Sequence, residues 1–477
     1  MGGFGQLFPR GATILPPIDF PYLAGYLSEK GVALEVVEAQ GLALSREQLV
    51  TRVARHAGSE TSALIVVRTS APTLDWDVAL CADMKAAAPN SRVAVYGPVV
   101  SHVAKRLHRE ASLDYIVRDE PDETVYELAS GKPEEEIVGL TYRRGAEWKE
   151  QPARPFLKDL DHLPFPKWEL LPYQRYALPR SSATKPVPFL PMLTSRGCPF
   201  GCDYCPYPVG QGLPWRSRSP KNVVDEIEHL VRDLGIRYIL FRDPMFSMRK
   251  QRVVEICEEI QRRHLVFKWK CETRPDCMDE PTARAMAAAG CDGINFGVES
   301  AEVGIQANVG RKPISQEQIT QMVDLCRTVG IKTFCFFIIG LPGDTVHTVL
   351  STIAFALRLR PNWIQFTAAS PFIGTKLRAW AVAEGLTSED EYAYTNSHEA
   401  MIGNRNLSKN EVAALLRFAQ FFERYLVNRG GILKDQNRTG LLYGSARTVA
   451  DWCAHVSSQV IFALGRNRFE RNAPTPA

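Results

Sequence analysis

The segment TSRGCPFGCDYCPYP, residues 194–208, places Cys198, Cys202 and Cys205 in a C-x3-C-x2-C arrangement. It directly follows an apolar run that is typical of a buried strand, and its glycines and prolines predict a loop. Three thiolates on one short loop can bind three irons of a cubane cluster and leave the fourth iron to a ligand from outside the protein. The segment therefore predicts an iron–sulfur site at the end of a strand.

Zinc is the alternative metal for these thiols. A closed zinc site needs four nitrogen or sulfur ligands, and no histidine or cysteine follows in residues 206–225. The chain has 11 cysteines, an odd number that favours reduced thiols over disulfides. Five others fall on apolar positions that predict core packing: Cys81, Cys257, Cys326, Cys335 and Cys453. The last three fall near strand ends, where a substrate-side role is open: Cys271, Cys277 and Cys291.

Strand-like and helical stretches alternate on the C-terminal side of this segment. Candidate strands lie at 189–195, 238–243, 267–274, 293–300, 332–340 and 363–370, with helices at 222–233, 250–262, 280–289, 315–329 and 346–359. Six βα repeats predict a partial (βα)6 barrel of the TIM type, whose active site lies at the carboxyl ends of the strands. We expect this domain to span residues 188–380.

A second alternating series occupies residues 1–140. Candidate strands lie at 33–37, 62–67, 92–96 and 113–117, with helices at 21–30, 45–56, 76–87 and 102–110. This pattern predicts a doubly wound, Rossmann-like parallel sheet. Its ligand is expected beyond the carboxyl ends of the strands, where residues 69–73 and the Gly97-Pro98 turn lie.

Two further regions complete an α/β chain of about three domains. Residues 141–187 are rich in proline and predict an ordered linker. Residues 381–477 predict a helical domain that contains an amphipathic helix at 409–428. The apolar stretch 452–465 is followed by Arg466, Arg468 and Arg471. We expect it to pack against the barrel, with an interfacial membrane helix as the alternative.

The overall composition excludes several classes of protein. The 477 residues include 57 Lys and Arg against 53 Asp and Glu, a formal net charge of +4. This balance gives no case for nucleic acid or an anionic membrane as an obligatory partner. No run reaches the ~18 apolar residues that a transmembrane helix needs, and the first 20 residues do not resemble a signal peptide. We therefore expect a cytoplasmic protein without a transmembrane segment.

The cysteine loop resembles that of the radical S-adenosylmethionine (SAM) enzymes, and the resemblance extends over residues 15–385. In that family three cysteines hold a 4Fe-4S cluster, and SAM chelates the open iron through its amino and carboxylate groups. The matching segments are FRD, CETRPD, GVES, NVGRK and FIIGLPGDT. They imply the SAM-binding residues Asp243, Arg274, Glu299, Ser300, Arg311 and Gly340. For Arg274, a structural ion pair with a barrel carboxylate is the alternative.

The N-terminal part is similar to a cobalamin-binding domain, so the chain resembles the cobalamin-binding radical SAM subfamily. The resemblance implies that cobalamin is bound by Thr69, Ser70, Thr73, Gly97 and Pro98. Two departures from the family pattern matter: the chain begins almost at the segment ILPPIDFPYLAGYL, and it has no Asp-x-His-x-x-Gly motif to supply a cobalt ligand. A vestigial domain that only shapes the active site is the alternative.

The resemblance implies that the reduced cluster cleaves SAM to methionine and a 5′-deoxyadenosyl radical. It also implies an electron donor such as flavodoxin or ferredoxin. The leading hypothesis is cobalamin-dependent methylation of an unactivated carbon in a small molecule or lipid intermediate. Cyclisation, ring contraction or oxidation is a second hypothesis, and a non-catalytic iron–sulfur or cobalamin sensor is a third. Tyr207 and Gln211 follow the cluster loop and either line the substrate cavity or face solvent. No catalytic side chain is assigned.

Overall fold

The computed structural model describes residues 16–58, 63–176, 188–391 and 399–423. Within these ranges the chain forms two α/β units, an intervening segment and two C-terminal helices. The predicted helix at 452–465, together with Cys453, lies outside the described residues. None of the helices in the described ranges is both long and apolar enough to cross a membrane.

The N-terminal unit is a five-stranded sheet with helices around it. Its strands follow the order β1-β2-β3-β4-β5. In chain order the elements are α1 Asp19–Glu29, α2 Ala39–Leu42, α3 Arg46–Gly58, β1 Leu64–Arg68, α4 Leu74–Ala87, β2 Arg92–Tyr96, α5 Ala104–Leu107, β3 Tyr115–Val117, α6 Pro121–Ala129, β4 Leu140–Arg144 and β5 Glu147–Glu150. The predicted Rossmann-like arrangement is confirmed for β1, β2 and β3, which pair in parallel.

Two features of this sheet differ from the prediction. Residues 33–37 form no strand; Leu34 and Val36 instead pack as partly buried side chains against two different cores. β4 and β5 form an antiparallel hairpin on β3, so the sheet is mixed. The hairpin turns at Gly145, whose φ of 64° suits a tight turn between twisted strands. The domain boundary predicted at residue 140 therefore falls inside a strand.

The second unit is the predicted partial barrel, and this prediction is confirmed. Six parallel strands follow the order β13-β12-β11-β10-β9-β6, and the β10–β11 and β11–β12 ladders each contain one register shift. In chain order the elements are β6 Phe189–Met192, β7 Ser195–Arg196, α7 Tyr207–Gln211, β8 Arg216–Ser217, α8 Pro220–Arg232, β9 Tyr238–Phe241, α9 Lys250–Arg262, β10 Lys268–Thr273, α10 Glu280–Ala288, β11 Cys291–Glu299, α11 Val303–Asn308, α12 Gln316–Thr328, β12 Lys332–Ile339, α13 Val346–Leu359 and β13 Trp363–Ala368.

Alternation along each barrel strand separates a dry core from a lumen. On β12, for example, Cys335, Phe337 and Ile339 are fully buried between sheet and helices, whereas Phe334 and Phe336 are only partly buried. Successive side chains of a strand point to opposite faces, so the partly buried set lines the inside of the barrel. The predicted core cysteines Cys257, Cys326 and Cys335 are all buried in the outer core, together with Cys271 and Cys291.

The rest of the described chain closes the structure. Residues 151–176 contain only short 3-10 turns, but they bury Trp168 and Tyr176 in the barrel core. After the barrel come α14 Lys376–Ala383 and α15 Lys409–Phe422. The predicted amphipathic helix is thus present as α15, which packs its apolar face against β12 and β13.

The two α/β units meet at their strand ends. Glu120, just after β3, accepts hydrogen bonds from Arg196 at 3.0 Å and from Arg216 at 2.8 Å. Ile373, which follows β13, is buried in the core of the N-terminal unit. Since β3 and β13 both end at this junction, the carboxyl ends of the two sheets, where α/β proteins bind ligands, face one another.

Candidate active site at the strand ends

The cysteine segment forms a loop between β7 and α7 that is tied back onto itself. The N–H of Cys198 donates to the carbonyl of Gly212 at 3.2 Å. The N–H of Gly197 donates to the side-chain oxygen of Gln211 at 3.1 Å. Gln211 is buried, so this contact gives it a structural role in holding the loop. Its predicted place in a substrate cavity stays a prediction.

The three predicted cluster ligands are free thiols on this loop, with Cys198 buried and Cys202 and Cys205 partly exposed. Burial raises the pKa of Cys198, while the N–H groups of Phe200 and Gly201 and the charge of Arg274 lower it. Burial also raises the pKa of Cys205, and the two other thiols add to that effect. Metal binding would reverse both shifts, because a metal keeps a thiol deprotonated.

The spacing of the thiols bears on the choice of metal. In the part of the chain that the structure describes, no three His, Cys, Asp or Glu side chains converge closely enough to hold one metal ion. A single zinc would require such convergence. A cubane does not, because each thiolate binds its own iron. The three thiols on one loop and the N–H groups directed at Cys198 fit an iron–sulfur cluster, and the assignment of these cysteines as its ligands stays a prediction.

Arg311 connects the loop to the end of β11. Its Nη1 donates to the phenol oxygen of Tyr204 at 3.2 Å and its Nη2 to the carbonyl of Gly297 at 2.5 Å. Glu299 lies 3.7 Å from Nη1. Burial raises the pKa of this carboxyl, and the charge of Arg311 lowers it. The Nε of Arg311 is buried and has no hydrogen-bond partner among the described residues.

Glu299 also has an unusual backbone. Its φ is 69°, in the left-handed region that side chains other than glycine rarely adopt. The β-ladder shifts its register beside it, between Gly297 and Glu299. Strain of this kind at a strand end is typical of ligand-binding sites.

Arg274 lies on the other side of the cysteine loop, stacked on the ring of Phe200 with its guanidinium carbon 4.5 Å from the centroid. It binds both oxygens of Asp276, at 2.9 and 3.1 Å, and the carbonyl of Lys312 at 2.8 Å. The structural ion pair considered as the alternative is therefore present. One buried nitrogen, Nη1, still has no partner within the described ranges, so Arg274 and Arg311 each retain a free donor.

Asp243, predicted at the SAM amino group, is fully buried and already engaged. Its Oδ1 accepts the N–H of Thr194 at 2.7 Å. Its Oδ2 accepts the hydroxyls of Ser195, at 2.8 Å, and of Thr194. These bonds join the ends of β6 and β9, which gives the carboxylate a structural role. Its contact with SAM stays a prediction.

Ser300 and Gly340 also have roles within the fold. The hydroxyl of Ser300 lies 3.2 Å from that of Thr352. Gly340 has a φ of 86°, and a Cβ there would lie 2.7 Å from Cγ1 of Val412 on α15. Because Gly340 has no side chain, α15 can pack closely against it. The predicted roles of both residues near the ribose and the adenine stay predictions.

A polar cluster inside the lumen was not identified from the sequence. Arg242 and Asn295 both bind Oε1 of Glu272, and the hydroxyl of Tyr207 donates to Oε2 at 2.9 Å. Lys270 lies two residues before Glu272 on β10, on the same lumen-facing side of the strand. A signal was available, because the alternating residues 268, 270, 272 and 274 of this buried strand are all charged. Tyr207 thus contacts this lumen cluster, and its predicted place in a substrate cavity stays a prediction.

The predicted cobalamin residues come together at the carboxyl end of β1. Ser70 and Thr73 share a hydrogen bond of 2.9 Å, and a Cβ on Gly97 would collide with the carbonyl of Thr69. Asp77, missed in the sequence, lies beside them, and burial raises its pKa to about 6. The buried atoms Thr69 Oγ1 and Asp77 Oδ2 have no hydrogen-bond partner in the described chain.

This edge abuts the barrel. A Cβ on Gly210, in α7, would lie 2.8 Å from Cβ of Pro98, and one on Gly374 would lie 2.8 Å from Nε2 of His102. Burial lowers the pKa of His102. The cysteine loop and the polar atoms after β1 are therefore neighbours across one domain junction.

Comparison with known proteins agrees with this geometry. Residues 192–356 match the family model described as the Radical SAM superfamily. The chain is 30% identical over 412 residues to a protein of Pyrococcus horikoshii named an uncharacterized methyltransferase, covering 85% of this chain and 87% of that protein. It is 26% identical to the anaerobic magnesium-protoporphyrin IX monomethyl ester cyclase of Cereibacter sphaeroides, covering 74% of this chain and 58% of the cyclase.

Among solved structures, the radical S-adenosylmethionine methyltransferase TsrM from Kitasatospora setae, with cobalamin and a [4Fe-4S] cluster bound, superposes with a TM-score of 0.66. The match covers 84% of this chain and 82% of TsrM at 20% sequence identity. At this identity the likeness establishes a shared fold over both α/β units.

Proposed function

This chain belongs to the radical SAM superfamily, and from that premise we propose that it is a cobalamin-dependent radical SAM C-methyltransferase. One observation carries the proposal. Through Phe200 and Tyr204 the three-cysteine loop contacts two buried arginines that each keep a free N–H. The strand-end edge predicted to bind cobalamin also holds buried polar atoms without a partner among the described residues. A cluster, SAM and a corrin would occupy this junction.

Cys198, Cys202 and Cys205 would hold the cluster. The N–H groups of Phe200 and Gly201 stabilise the charge on the Cys198 sulfur, and the loop bonds from Gln211 and Gly212 keep the thiols in place. When bound, a 4Fe-4S cluster supplies the electron for reductive cleavage of SAM, and cobalamin supplies a methyl carrier.

Arg274 and Arg311 would bind the carboxylate of SAM. Each guanidinium is buried and retains one unpaired donor, and a buried donor without an acceptor costs stability until a ligand supplies one. Glu299 lies beside Arg311 and would accept a hydroxyl of the ribose. The pairing of Arg274 with Asp276 and of Arg311 with Tyr204 orients both cations before SAM arrives.

Thr69 and Asp77 would bind the corrin or its nucleotide tail. Their unpaired oxygens lie at the carboxyl end of β1, and the amides along the rim of a corrin are suitable donors. Support for methyl transfer comes from the relative of Pyrococcus horikoshii, which is named a methyltransferase. Further support is the fold that the chain shares with TsrM, which is also named a methyltransferase.

A second candidate is cyclisation without methyl transfer. It is favoured by the relative of Cereibacter sphaeroides, which is named a cyclase. The barrel site is the same in both cases, so the two candidates differ only in the steps after SAM cleavage. S-Adenosylhomocysteine separates them, because methyl transfer from SAM produces it and cyclisation does not.

The test is anaerobic reconstitution of the full chain with iron, sulfide and hydroxocobalamin, followed by addition of SAM, reduction and mass analysis. We expect 5′-deoxyadenosine and S-adenosylhomocysteine from the native chain. Joint replacement of Cys198, Cys202 and Cys205 by Ala should abolish SAM cleavage and the cluster absorbance near ~400 nm. Cys326→Ala, a thiol buried in the outer core of the barrel, is the matched control and should retain both. Cleavage by the triple variant would refute the cluster assignment.

A further inference from the structure

Lys270 is a lumen residue without an anionic partner. It lies on β10 between Leu240 of β9 and Gly293 of β11 in the strand register. Its Nζ lies over the ring of Phe334, 3.1 Å from the centroid. No hydrogen bond or ion pair joins this ammonium to any residue that the structure describes.

The nearby carboxylates are already used. Glu272 binds Arg242 through Oε1 and accepts the hydroxyl of Tyr207 through Oε2. Asp292 binds Lys332 at 3.1 Å through Oδ1 and accepts the hydroxyl of Tyr238 at 3.3 Å through Oδ2. Lys270 is therefore a partly buried cation, and both neighbouring carboxylates, Glu272 and Asp292, have other partners.

Such a residue is costly for the folded protein. Burial lowers the pKa of Lys270 to about 7, although the charges of Glu272 and Asp292 raise it. Lysine is almost never fully buried unless it is paired, and a buried polar group without a partner in a cleft is a candidate ligand-binding group. A ligand that brings its own negative charge would relieve this cost.

A second unsatisfied atom lies in the same lumen. The Oδ1 of Asn295 on β11 is buried and has no hydrogen-bond partner within the described residues. Asn295 stands opposite Glu272, and Gly293 stands opposite Lys270. Gly293 has no side chain, and the ring of Phe334 and the stem of Lys270 pack over it, 3.0 and 3.6 Å from the position of a Cβ. The cation of Lys270 and the acceptor of Asn295 therefore lie on neighbouring strands of the same lumen.

Apolar side chains of β9 and β12 form one part of the lumen wall, whereas β13 contributes the polar side chains of Gln365 and Thr367. Leu240, Phe334, Phe336 and Ile338 occupy lumen-facing, partly buried positions. Such a wall binds hydrocarbon or aromatic surface through burial of apolar area. The lumen thus offers an apolar wall for the ligand and, at one end of that wall, the cation of Lys270.

We propose that Lys270 binds an acidic group, a carboxylate or a phosphate ester, on a substrate whose apolar body lies along Leu240, Phe334 and Phe336. Asn295 accepts a hydroxyl or N–H of the same ligand. The inference rests on the proposed function, since this ligand is the substrate of that reaction. Lys270 acts in it as a substrate-binding and specificity-determining residue.

Three small aromatic probes test the inference on the full, cluster-loaded chain: benzoate, phenyl phosphate and the neutral benzamide. Their affinities are measured by ligand-observed NMR titration without reductant, so no turnover occurs. We expect the preferred acid to bind at least about tenfold more tightly than benzamide, as a charge-assisted contact predicts. The comparison of benzoate with phenyl phosphate identifies the acidic group.

Two lysine variants on the same strand complete the design. Lys270→Met should abolish the preference for acid without weakening benzamide. Lys268→Met, at an exposed position two residues earlier, should leave the preference unchanged. A preference that survives Lys270→Met, or no acid preference in the native chain, would overturn the inference.

SAM cleavage under strong reductant is measured on the same preparations, so that the two proposals fail separately. Lys270→Met should keep its cluster and its substrate-free SAM cleavage, because Lys270 does not contact the cysteine loop. Cleavage without acid preference would refute the role of Lys270 alone. Acid preference without cleavage would refute the proposed reaction and leave the binding site standing.

Discussion

Arg311 donates a hydrogen bond of 3.2 Å to the phenol oxygen of Tyr204, which lies between two of the three clustered cysteines. Tyr204 is buried, so this contact anchors the middle of the loop to the segment that follows α11. The same guanidinium faces Glu299 and keeps its Nε free. Arg311 thus contributes both to the shape of the loop and to the pocket beside it.

Replacement of Arg311 should therefore weaken SAM binding more than it affects the cluster. We expect Arg311→Gln to lower SAM affinity at least about tenfold, because a charged hydrogen bond to the carboxylate is lost. Equilibrium dialysis of labelled SAM against cluster-loaded protein measures this effect, and iron content monitors the loop. Arg284→Gln, an exposed arginine paired with Glu280 on α10, is the control. Equal SAM affinity in both variants would contradict the role of Arg311.

Asp77 should matter for corrin binding. Its unpaired Oδ2 lies in the candidate cobalamin edge, whereas Asp75 on the same helix is exposed, with 73% of its side chain accessible. We expect the native chain to retain hydroxocobalamin through gel filtration and Asp77→Ala to bind it about tenfold more weakly. Asp75→Ala should match the native chain. Loss of the corrinoid from the native chain would favour the vestigial domain.

The stability of the folded chain should depend on pH through Lys270. Its folded pKa is lowered to about 7, against ~10.4 in an unfolded chain. Between these values the unfolded chain holds one more proton, so this residue makes stability rise with pH. Below pH ~7 both states are protonated, and the folded state bears the full cost of the buried charge.

Lys270→Met removes that cost, so the variant should be more stable than the native chain by about 1–4 kcal/mol at pH ~6. This difference should shrink by at most about 1.4 kcal/mol per pH unit as the pH rises above ~7. Urea denaturation of both chains at several pH values measures it. A difference that is constant or grows from pH ~6 to ~9 would show that Lys270 is not buried as described.

Gly340 should resist substitution because of Val412. Gly340→Ala incurs the positive φ of 86° and a close contact with Val412 on α15. Gly330→Ala, at a φ of 82° with open space around it, incurs only the backbone cost of ~1 kcal/mol. We expect Gly340→Ala to lose a further ~1–3 kcal/mol, part of which Val412→Ala restores in the double variant. Equal losses at the two glycines would mean that α15 does not pack there.

The fold was largely predictable because its signals are local. All six barrel strands lie where apolar runs separate amphipathic helices, and β2 matches its predicted bounds of 92–96. The failures have equally local causes. Residues 33–37 have the composition of a strand but pair with no strand in the part of the chain that the structure describes. The β4–β5 hairpin lies in a stretch so rich in charged residues that it lacks the apolar pattern of a strand.

The sequence by itself predicted the metal chemistry proposed for this protein, because ligand spacing within one loop is set by covalent geometry. It also indicated which strand ends carry polar residues. Only the tertiary structure decided which of those side chains remain available. Both carboxylate oxygens of Asp243 already accept hydrogen bonds from Thr194 and Ser195. Arg274, Arg311 and Lys270 instead keep unpaired donors. The physical reason is that a hydrogen bond saturates a group, and its partners come from strands far apart in the chain.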